Sequence, residues 1–300
     1  MIPPMRPRSL FCASNGKRLP FSFFDQHGNG HHHATDPSEP SSRETFHMLP
    51  NSDLSFQLWS SRADTDLDAQ FRALEALGYT DMQPFHAQYD DPTGMKRLLD
   101  THGLTAKTGH FNTRMFEDEF ERIVAAAGTL GMSLVVAPWL NVDERPREVE
   151  GWKRWGAKLR EYSRRCAAAG LQFAWQNRDF EFVRFTDGSW PIEHLLGDEA
   201  AWEIDVAWVA RAGVDPKPWI ERYRGGIPAV HVKDLAPAGT TAEGGWADVG
   251  HGVIDWQPLW ELAVAAGSQP MVAEHDATDD YMRFARRSIV SMKRYAGLSV

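Results

Sequence analysis

The amino-acid sequence predicts an α/β protein built as one (β/α)8 barrel that follows a disordered N-terminal extension. Between residues 54 and 295, eight short apolar runs typical of buried strands alternate with segments of helical period. Eight strand–helix pairs in about 250 residues match the usual size of such a barrel. A doubly wound open sheet is the alternative, but no Gly-x-Gly-x-x-Gly sequence follows the first apolar run.

The predicted elements follow one another at regular spacing along the chain. The strands are expected at Leu54–Ser60, Tyr79–Phe85, Ala106–Phe111, Ser133–Trp139, Gln172–Asn177, Trp202–Trp208, Ala229–Asp234 and Met271–Asp276. The longer helices are expected at Asp66–Leu77, Glu117–Leu130, Val149–Ala169, Asp255–Ala266 and Asp280–Tyr295. Glycine commonly ends a helix in the left-handed conformation, and glycines stand where five helical segments should end: Gly78, Gly103, Gly131, Gly170 and Gly267.

The first 50 residues differ in composition from the rest of the chain. They contain a basic stretch without acidic residues up to Phe24, three consecutive histidines and a Pro/Ser-rich run, and they show no periodic apolar face. Segments of this kind cannot bury a core. We therefore expect a poorly ordered extension over residues 1–50 and the barrel over residues 51–300. An organellar transit peptide is the alternative interpretation of the extension.

Composition narrows the classes of partner. The 32 Lys and Arg residues against 41 Asp and Glu residues give a net charge of −9, which disfavours binding to nucleic acid or to an anionic membrane. Cys12 and Cys166 are too few for a disulfide framework. No apolar run approaches the roughly 18 residues of a membrane span. We expect a cytoplasmic protein with a small-molecule partner, and the sequence leaves open whether the chain forms a homo-oligomer.

Polar residues gather at the predicted carboxyl ends of the strands, where the active sites of such barrels lie. On the seventh strand two valines alternate with His231 and Lys233, so the valines should face the helices and the polar pair should face inward. The same alternation turns Asp205 of the sixth strand inward, and Glu274 lies at the end of the eighth. Buried carboxylates must be paired, protonated or metal-bound. Two interpretations stay open: a divalent cation site, or salt bridges that join Asp205 to Lys233 and Glu274 to Arg178 or His231.

Other residues near strand ends are candidates for contact with a ligand. His110 ends the third strand, and Arg178 follows the fifth strand, where it could meet an anion. Flat aromatic rings offer a stacking surface for the C–H face of a sugar or cyclitol. Four tryptophans are candidates for this role, with burial in the core as the alternative: Trp59, Trp139, Trp175 and Trp208.

Five segments carry a family resemblance: Gln57–Arg62, Trp175–Phe182, Trp202–Trp208, Val230–Asp234 and Val249–Trp256. Together they resemble the sugar phosphate isomerase/epimerase family of xylose isomerase-like TIM barrels, over about residues 54–296. The His-Val-Lys-Asp and Gly-x-Gly-x-Ile-Asp-Trp pieces, in this order and spacing, are fairly specific for the superfamily. Inosose dehydratases, ketose 3-epimerases and, more distantly, apurinic-site endonucleases also belong to it.

The resemblance implies a divalent metal site. In the family, a glutamate at the end of strand five, an acidic residue on strand six, a histidine on strand seven and a glutamate on strand eight hold the ion. The matching positions here are Gln176, Asp205, His231 and Glu274, so glutamine replaces the first glutamate. An amide oxygen can bind a cation but brings no charge. We therefore expect weaker binding, with Mn²⁺, Co²⁺ or Zn²⁺ favoured over Mg²⁺.

The same replacement affects the reaction that the resemblance implies. Epimerases of the family use the glutamates of strands five and eight on opposite faces of the substrate, and an amide is not a base at neutral pH. The expected activity is a metal-dependent sugar isomerase/epimerase in which Glu274 moves a proton next to the carbonyl of a sugar or keto-sugar. Lys233 or His110 would stabilise the developing oxyanion, and either of them or Asp179 could replace the missing base. The alternatives are a lyase that dehydrates an inosose or 3-keto sugar and a barrel that only binds carbohydrate.

Overall fold

Eight parallel strands form a nearly closed barrel, as the sequence predicts. The computed structural model describes residues 53–197 and 199–300, and the predicted extension over residues 1–50 lies outside them. The barrel strands are β1 (Leu54–Gln57), β2 (Asp81–Gln83), β3 (Thr108–His110), β4 (Leu134–Ala137), β5 (Gln172–Gln176), β6 (Ala201–Asp205), β7 (Ala229–Val232) and β10 (Met271–Ala273). They pair in the order β2-β1-β10-β7-β6-β5-β4-β3. Two isolated parallel bridges, Asp81 with Thr105 and Phe85 with His110, join β2 to β3 at the remaining seam.

Helices cover the outside of the barrel. They are α1 (Leu67–Leu77), α2 (Pro92–Thr101), α3 (Thr113–Asp118), α4 (Phe120–Leu130), α5 (Val149–Ala168), α6 (Pro191–Leu196), α7 (Val206–Arg211), α8 (Lys217–Arg222), α9 (Trp256–Ala265) and α10 (Tyr281–Tyr295). The five predicted helices are confirmed, except that Glu119 divides the first turns of Glu117–Leu130 between α3 and α4. No helix in the described ranges is long and apolar enough to cross a membrane.

Each predicted strand extends one to three residues past the end of the observed one, and in β6 the excess residues begin an α-helix. The run Trp202–Trp208 was expected to be a strand throughout, but β6 ends at Asp205 and α7 begins at Val206. The reason is local: the Asp205 Oδ1 atom accepts a hydrogen bond from the Trp208 backbone N–H at 3.0 Å, which caps the helix. An apolar run alone does not reveal where such a cap divides it.

The inside of the barrel changes from apolar to polar towards the carboxyl ends of the strands. A small apolar cluster of Leu134, Val136, Ala174 and Ala229, with Ala201 packed against it, occupies the lower part. Side chains two residues further along the same strands point the same way. They place Gln176, Glu203 and His231 directly above this cluster, and all three are fully buried.

The two sequence pieces most specific for the resemblance meet in a loop that follows β7. There, β8 (Asp234–Leu235) pairs antiparallel with β9 (Trp246–Ala247). The buried Asp234 carboxylate accepts four backbone N–H bonds, of 2.8–3.1 Å, from Leu235, Gly250, Gly252 and Ile254. One aspartate thus holds the Gly-x-Gly-x-Ile segment against the end of β7.

Replacing Gly252 with alanine is expected to destabilise the protein by about 1–3 kcal/mol. An added Cβ atom would clash with the Asp234 carboxylate and with the carbonyl oxygen of Leu235. Neither group can easily move aside, because four N–H bonds hold the carboxylate and the carbonyl belongs to the backbone. Gly128→Ala is the matched control, because this glycine is exposed within α4 and its Cβ would meet nothing within 4 Å. Thermal unfolding should show a lower midpoint for Gly252→Ala and an unchanged or higher one for Gly128→Ala. Equal midpoints for the two variants would contradict this account of the loop.

Candidate active site

A cavity of about 660 Å³ opens at the carboxyl ends of the strands. Three of the four predicted tryptophans line it, together with Arg178, His110 and Glu274. The full lining is Trp59, Phe85, His86, His110, Asn112, Thr113, Arg114, Pro138, Trp139, Asn141, Arg178, Trp208, Glu274 and Asp276. Its aromatic walls and few convergent polar groups are typical of a small-molecule site.

Trp175 is a correction to the predicted set. Its side chain is fully buried, and its Nε1 atom donates a hydrogen bond to Glu181 at 2.9 Å. Because Gln176 points into the barrel, the alternation of β5 turns Trp175 towards the helices. Trp175 is therefore a core residue and does not contact the cavity.

Three of the four predicted metal ligands converge beneath the cavity, at the ends of the neighbouring strands β6, β7 and β10. The Asp205 Oδ2, His231 Nδ1 and Glu274 Oε2 atoms all lie within 4.8 Å of one another. The His231 Nδ1 atom is 2.8 Å from Glu274 Oε2 and 3.8 Å from Asp205 Oδ2. We refer to these three residues as the ligand trio. Only Glu274 of the trio also lines the cavity.

Gln176, the fourth predicted ligand, also reaches the trio. Its Nε2 atom lies 2.8 Å from His231 Nδ1 and 3.2 Å from Asp205 Oδ2, whereas its buried Oε1 atom has no hydrogen-bond partner. The two ends of an amide have nearly the same shape, so the opposite orientation turns this unpaired oxygen towards the trio. Two carboxylates, an imidazole and an amide oxygen form a donor set that fits a divalent cation.

Lys233 holds the carboxylates together. Its Nζ atom forms ion pairs with Glu274 at 2.7 Å, with Asp205 at 2.9 Å and with Asp276 at 2.9 Å. An ammonium group has three N–H donors, and these three carboxylates account for all of them. Burial would lower the pKa of Lys233, but the carboxylates raise it above its usual value. Lys233 is therefore neither a base nor a free donor for a substrate oxyanion, which corrects the role predicted for it.

The electrostatic field of the cluster favours the charged forms of His231 and Glu274, whereas burial dominates at Asp205. Burial alone would lower the pKa of His231, but the Glu203 and Glu274 carboxylates raise it to about 10. Burial would raise the pKa of Glu274, but Lys233 and His231 hold it well below its usual value. Burial raises the pKa of Asp205, whereas Lys233 and His231 act to lower it. Two of the salt bridges considered from the sequence, Asp205–Lys233 and Glu274–His231, are therefore present in the structure.

A charge count shows that these salt bridges leave room for a cation. The carboxylates of Asp205, Glu274, Asp276 and Glu203 contribute −4, and Lys233 and Arg178 contribute +2. The remainder is −2 when both histidines are neutral, as His231 must be to bind a cation through Nδ1, and −1 when His231 carries the second proton that its raised pKa favours. One divalent ion would neutralise the larger of these charges, as would protons on His110 and His231. The ion pairs and the predicted metal site are therefore compatible.

His110 and Arg178 differ in how their hydrogen-bonding groups are used. The His110 Nε2 atom lies 2.6 Å from Glu203, and its Nδ1 atom lies 3.2 Å from Gln57. Burial also lowers the pKa of His110. In contrast, the buried Nη1 atom of Arg178 has no hydrogen-bond partner, and its closest carboxylate oxygen, on Asp205, is 3.9 Å away. Arg178 thus combines a place in the cavity lining with one buried donor that has no partner, whereas both His110 nitrogens are already occupied.

Four residues contact the site but are absent from the predicted set: Glu203, Gln83, Gln57 and Asp276. Glu203 is the most informative omission, because it lies two residues before Asp205 on β6 and therefore shares its inward face. The same alternation would have found Gln57 and Gln83, which end β1 and β2. Asp276 lies two residues after Glu274 in the predicted strand Met271–Asp276, so alternation would have found it too, although β10 itself ends at Ala273.

A family model described as xylose isomerase-like TIM barrel matches residues 71–292. The chain belongs to this family. The resemblance stated from the sequence is thereby confirmed, and so is the fold class.

The chain is also similar to individual proteins and solved structures. The chain is 25% identical over 190 residues to the rhizopine catabolism protein MocC of Rhizobium meliloti, a match that covers 57% of this chain and only 58% of that relative. A sugar phosphate isomerase/epimerase from Parabacteroides distasonis superposes with a TM-score of 0.68 at 18% identity, covering 86% of this chain and 98% of that one. The IOLI protein, whose crystal structure holds a zinc atom, gives a TM-score of 0.62 at 18% identity over 81% and 96% of the two chains. At these identities the structural likeness shows the fold.

Proposed function

We propose that this protein is a divalent-metal-dependent sugar isomerase/epimerase that transfers a proton next to the carbonyl of a sugar or keto-sugar. The observation that carries the proposal is the ligand trio: two carboxylate oxygens and one imidazole nitrogen converge within 4.8 Å below a cavity lined by aromatic rings. A sugar phosphate isomerase/epimerase and a zinc-bound protein among the similar structures support this function.

Gln176, Asp205, His231 and Glu274 would hold the cation, which supplies a Lewis acid for polarising a substrate oxygen. Two carboxylates with one imidazole favour Mn²⁺, Co²⁺ or Zn²⁺ over Mg²⁺, which prefers oxygen ligands and retains its waters. Trp59, Trp139 and Trp208 would pack against the apolar face of the sugar ring.

Glu274 is the proposed base. It is the one residue of the ligand trio that reaches the cavity. Lys233 and His231 hold its pKa well below its usual value, which keeps the carboxylate ionised but also makes it a weaker base. Gln176 stands at the position of the family's strand-five glutamate, and its amide cannot act as a base. The site therefore supports a reaction in which one carboxylate both removes and returns the proton.

Arg178 is the proposed partner of the oxyanion that develops as the proton leaves. The predicted groups, Lys233 and His110, have their donors and nitrogens occupied by Asp205, Glu274, Asp276, Glu203 and Gln57. Arg178 lines the cavity and has a buried N–H group without a partner. A preorganised donor at the place where charge develops is the usual means of stabilising such an intermediate.

A lyase that removes water from an inosose or 3-keto sugar is the second candidate. The observation that favours it is Gln176 itself, since a dehydration that begins with one proton abstraction does not need the missing glutamate. The two reactions separate on one assay: incubation of keto-sugars and inososes in D2O, followed by mass spectrometry. Deuterium incorporation without loss of water identifies the isomerase/epimerase, and loss of water identifies the lyase.

The metal site is tested by the ion content of the purified protein. We expect about one Mn²⁺, Co²⁺ or Zn²⁺ per chain after loading and dialysis, and none retained by Asp205→Ala, because this change removes one of two charged ligands. Asp100→Ala provides the control, since Asp100 is exposed on α2 and pairs with Lys96. Elemental analysis of the three proteins gives the answer. Equal ion content in Asp205→Ala and the parent would disprove the site.

A further inference from the structure

We propose that Glu203, together with Gln83, fixes the orientation and tautomer of His231, so that its Nδ1 atom faces the cation. This inference rests on the proposed function, because it concerns how one ligand of the proposed site is positioned. Glu203 does not line the cavity and reaches the ligand trio through His231 Nε2, at 3.2 Å, so it is a positioning residue and not a catalytic one.

A set of hydrogen bonds surrounds the fully buried Glu203 carboxylate. Its Oε2 atom lies 2.6 Å from His110 Nε2 and 3.2 Å from His231 Nε2. Its Oε1 atom accepts a hydrogen bond from Gln83 Nε2 at 2.6 Å. A carboxylate with these partners can only accept, so both imidazole Nε2 atoms must carry the hydrogen.

The Gln83 amide can adopt only one orientation. Its Nε2 atom donates to Glu203 and to Thr108 Oγ1 at 2.7 Å, and its Oε1 atom accepts from Gln57 Nε2 at 2.5 Å. That same Oε1 atom lies 2.7 Å from His231 Nε2. The His231 Nε2–H group therefore has two acceptors, Gln83 and Glu203. Its Nδ1 atom faces Glu274 Oε2 at 2.8 Å, on the side where a cation would take its lone pair.

The cluster around Glu203 differs from a second metal site. His110, Glu203 and His231 also bring three potential ligand atoms within 4.8 Å of one another. However, none of their buried polar atoms lacks a partner, whereas Gln176 Oε1 beside the ligand trio does. The His110 and His231 rings stack at 5.0 Å with an angle of 9° between them, both held by the same carboxylate oxygen. The deeper cluster is thus a closed hydrogen-bond network, and the unsatisfied site lies on the other side of His231.

This arrangement follows a general feature of metal sites. A histidine that binds a metal through one nitrogen usually donates its other N–H group to a carboxylate or carbonyl, and loss of that partner typically costs 10–100-fold in affinity. Glutamine at position 203 would keep the size of the side chain. It would remove the charge and replace one acceptor oxygen by a donor.

The test is Zn²⁺ titration of the full-length protein, with the dissociation constant measured by competition with a chelator. We expect Glu203→Gln to bind one Zn²⁺ about 10–100-fold more weakly than the parent. Glu203→Asp, which retains the charge, should recover part of this loss. Ser55→Ala is the control for a buried hydrogen bond elsewhere in the barrel, since Ser55 Oγ donates to Asp81, and its affinity should stay within threefold of the parent.

Each outcome has a distinct meaning. Equal affinity in Glu203→Gln and the parent would overturn the role of Glu203 while leaving the proposed function intact. A second Zn²⁺ ion in the parent that is absent from Glu203→Gln would overturn it as well, because Glu203 would then be a ligand. A loss of affinity in Glu203→Gln that Glu203→Asp does not relieve at all would assign the effect to packing and would also count against the proposal. If the parent binds no Zn²⁺, Mn²⁺ or Co²⁺, the proposed function fails and this inference fails with it.

Discussion

Replacing Glu274 with glutamine is expected to slow proton exchange between solvent and a keto-sugar substrate by about 10²–10⁴-fold. Glu274 is the ionised member of the ligand trio that opens to the cavity, and glutamine keeps its shape and one oxygen but cannot accept a proton. The measurement is the rate of deuterium uptake from D2O by mass spectrometry, with the ion content of each sample determined in parallel.

The paired measurement of exchange and ion content separates two roles of Glu274. If Glu274→Gln retains its ion and loses exchange, the carboxylate acts as the base. If the variant loses the ion as well, the lost rate reports metal binding and leaves the base unassigned. Glu261→Gln is the control, because Glu261 is exposed on α9 and accepts a hydrogen bond from Gln257 at 2.7 Å. Exchange by Glu274→Gln within tenfold of the parent would eliminate Glu274 as the base.

Alternation along the strands was the most informative signal in the sequence. It predicted that Asp205, His231 and Lys233 point into the barrel, and all three are fully buried there. The Asp205 Oδ2 atom lies 3.8 Å from His231 Nδ1 and 2.9 Å from Lys233 Nζ. The rule succeeds because strands of a closed parallel barrel keep a side-chain period of two, with one face always inside. It applies equally to Glu203, which lies two residues before Asp205 on the same face of β6 but was left out of the predicted site. It would also have turned Trp175 outward as soon as Gln176 was placed inward.

The sequence was least informative where a single local contact decides the structure. Nothing in the apolar run Trp202–Trp208 distinguishes a seven-residue strand from a strand followed by a helix, and the side chain of Asp205 makes that choice by capping α7. The role of Lys233 was misjudged for a similar reason. Its inward direction follows from alternation, but its three carboxylate partners come from β6 and from the segment after β10, and their meeting depends on the closure of the whole barrel.

The buried ammonium of Lys233 relates the stability of the barrel to its proposed chemistry. Taking several carboxylates out of water is costly unless positive charge compensates them. Lys233 supplies one such charge to Asp205, Glu274 and Asp276 at once. A divalent ion in the trio would supply two more positive charges. Lys233 and the ion would then both compensate the buried carboxylates, and neither would replace the other completely.

Replacing Lys233 with methionine is therefore expected to cost about 3–5 kcal/mol of unfolding free energy. Methionine fills a similar volume but leaves three carboxylates without their shared cation. For a barrel of this size the loss corresponds to a fall of about 10 °C in the melting temperature. Lys153→Met should change stability by less than about 1 kcal/mol, since Lys153 forms an ion pair with Glu150 in which its side chain is 53% exposed. Thermal and denaturant unfolding of the two variants measure the difference.

Added Mn²⁺ distinguishes charge compensation from simple packing in the same variants. If Lys233 acts through its charge, Mn²⁺ should raise the melting temperature of Lys233→Met by more than that of the parent, because the ion then meets a more negative site. If the lysine mattered only for its volume, both proteins would respond equally to Mn²⁺, and Lys233→Met would lie close to the parent because methionine fills the space. A variant within about 1 kcal/mol of the parent that also gains less from Mn²⁺ than the parent does would show that the carboxylates bind protons in place of the lysine. The charge count that makes room for a divalent ion would then no longer hold, because fewer negative charges would remain to be neutralised.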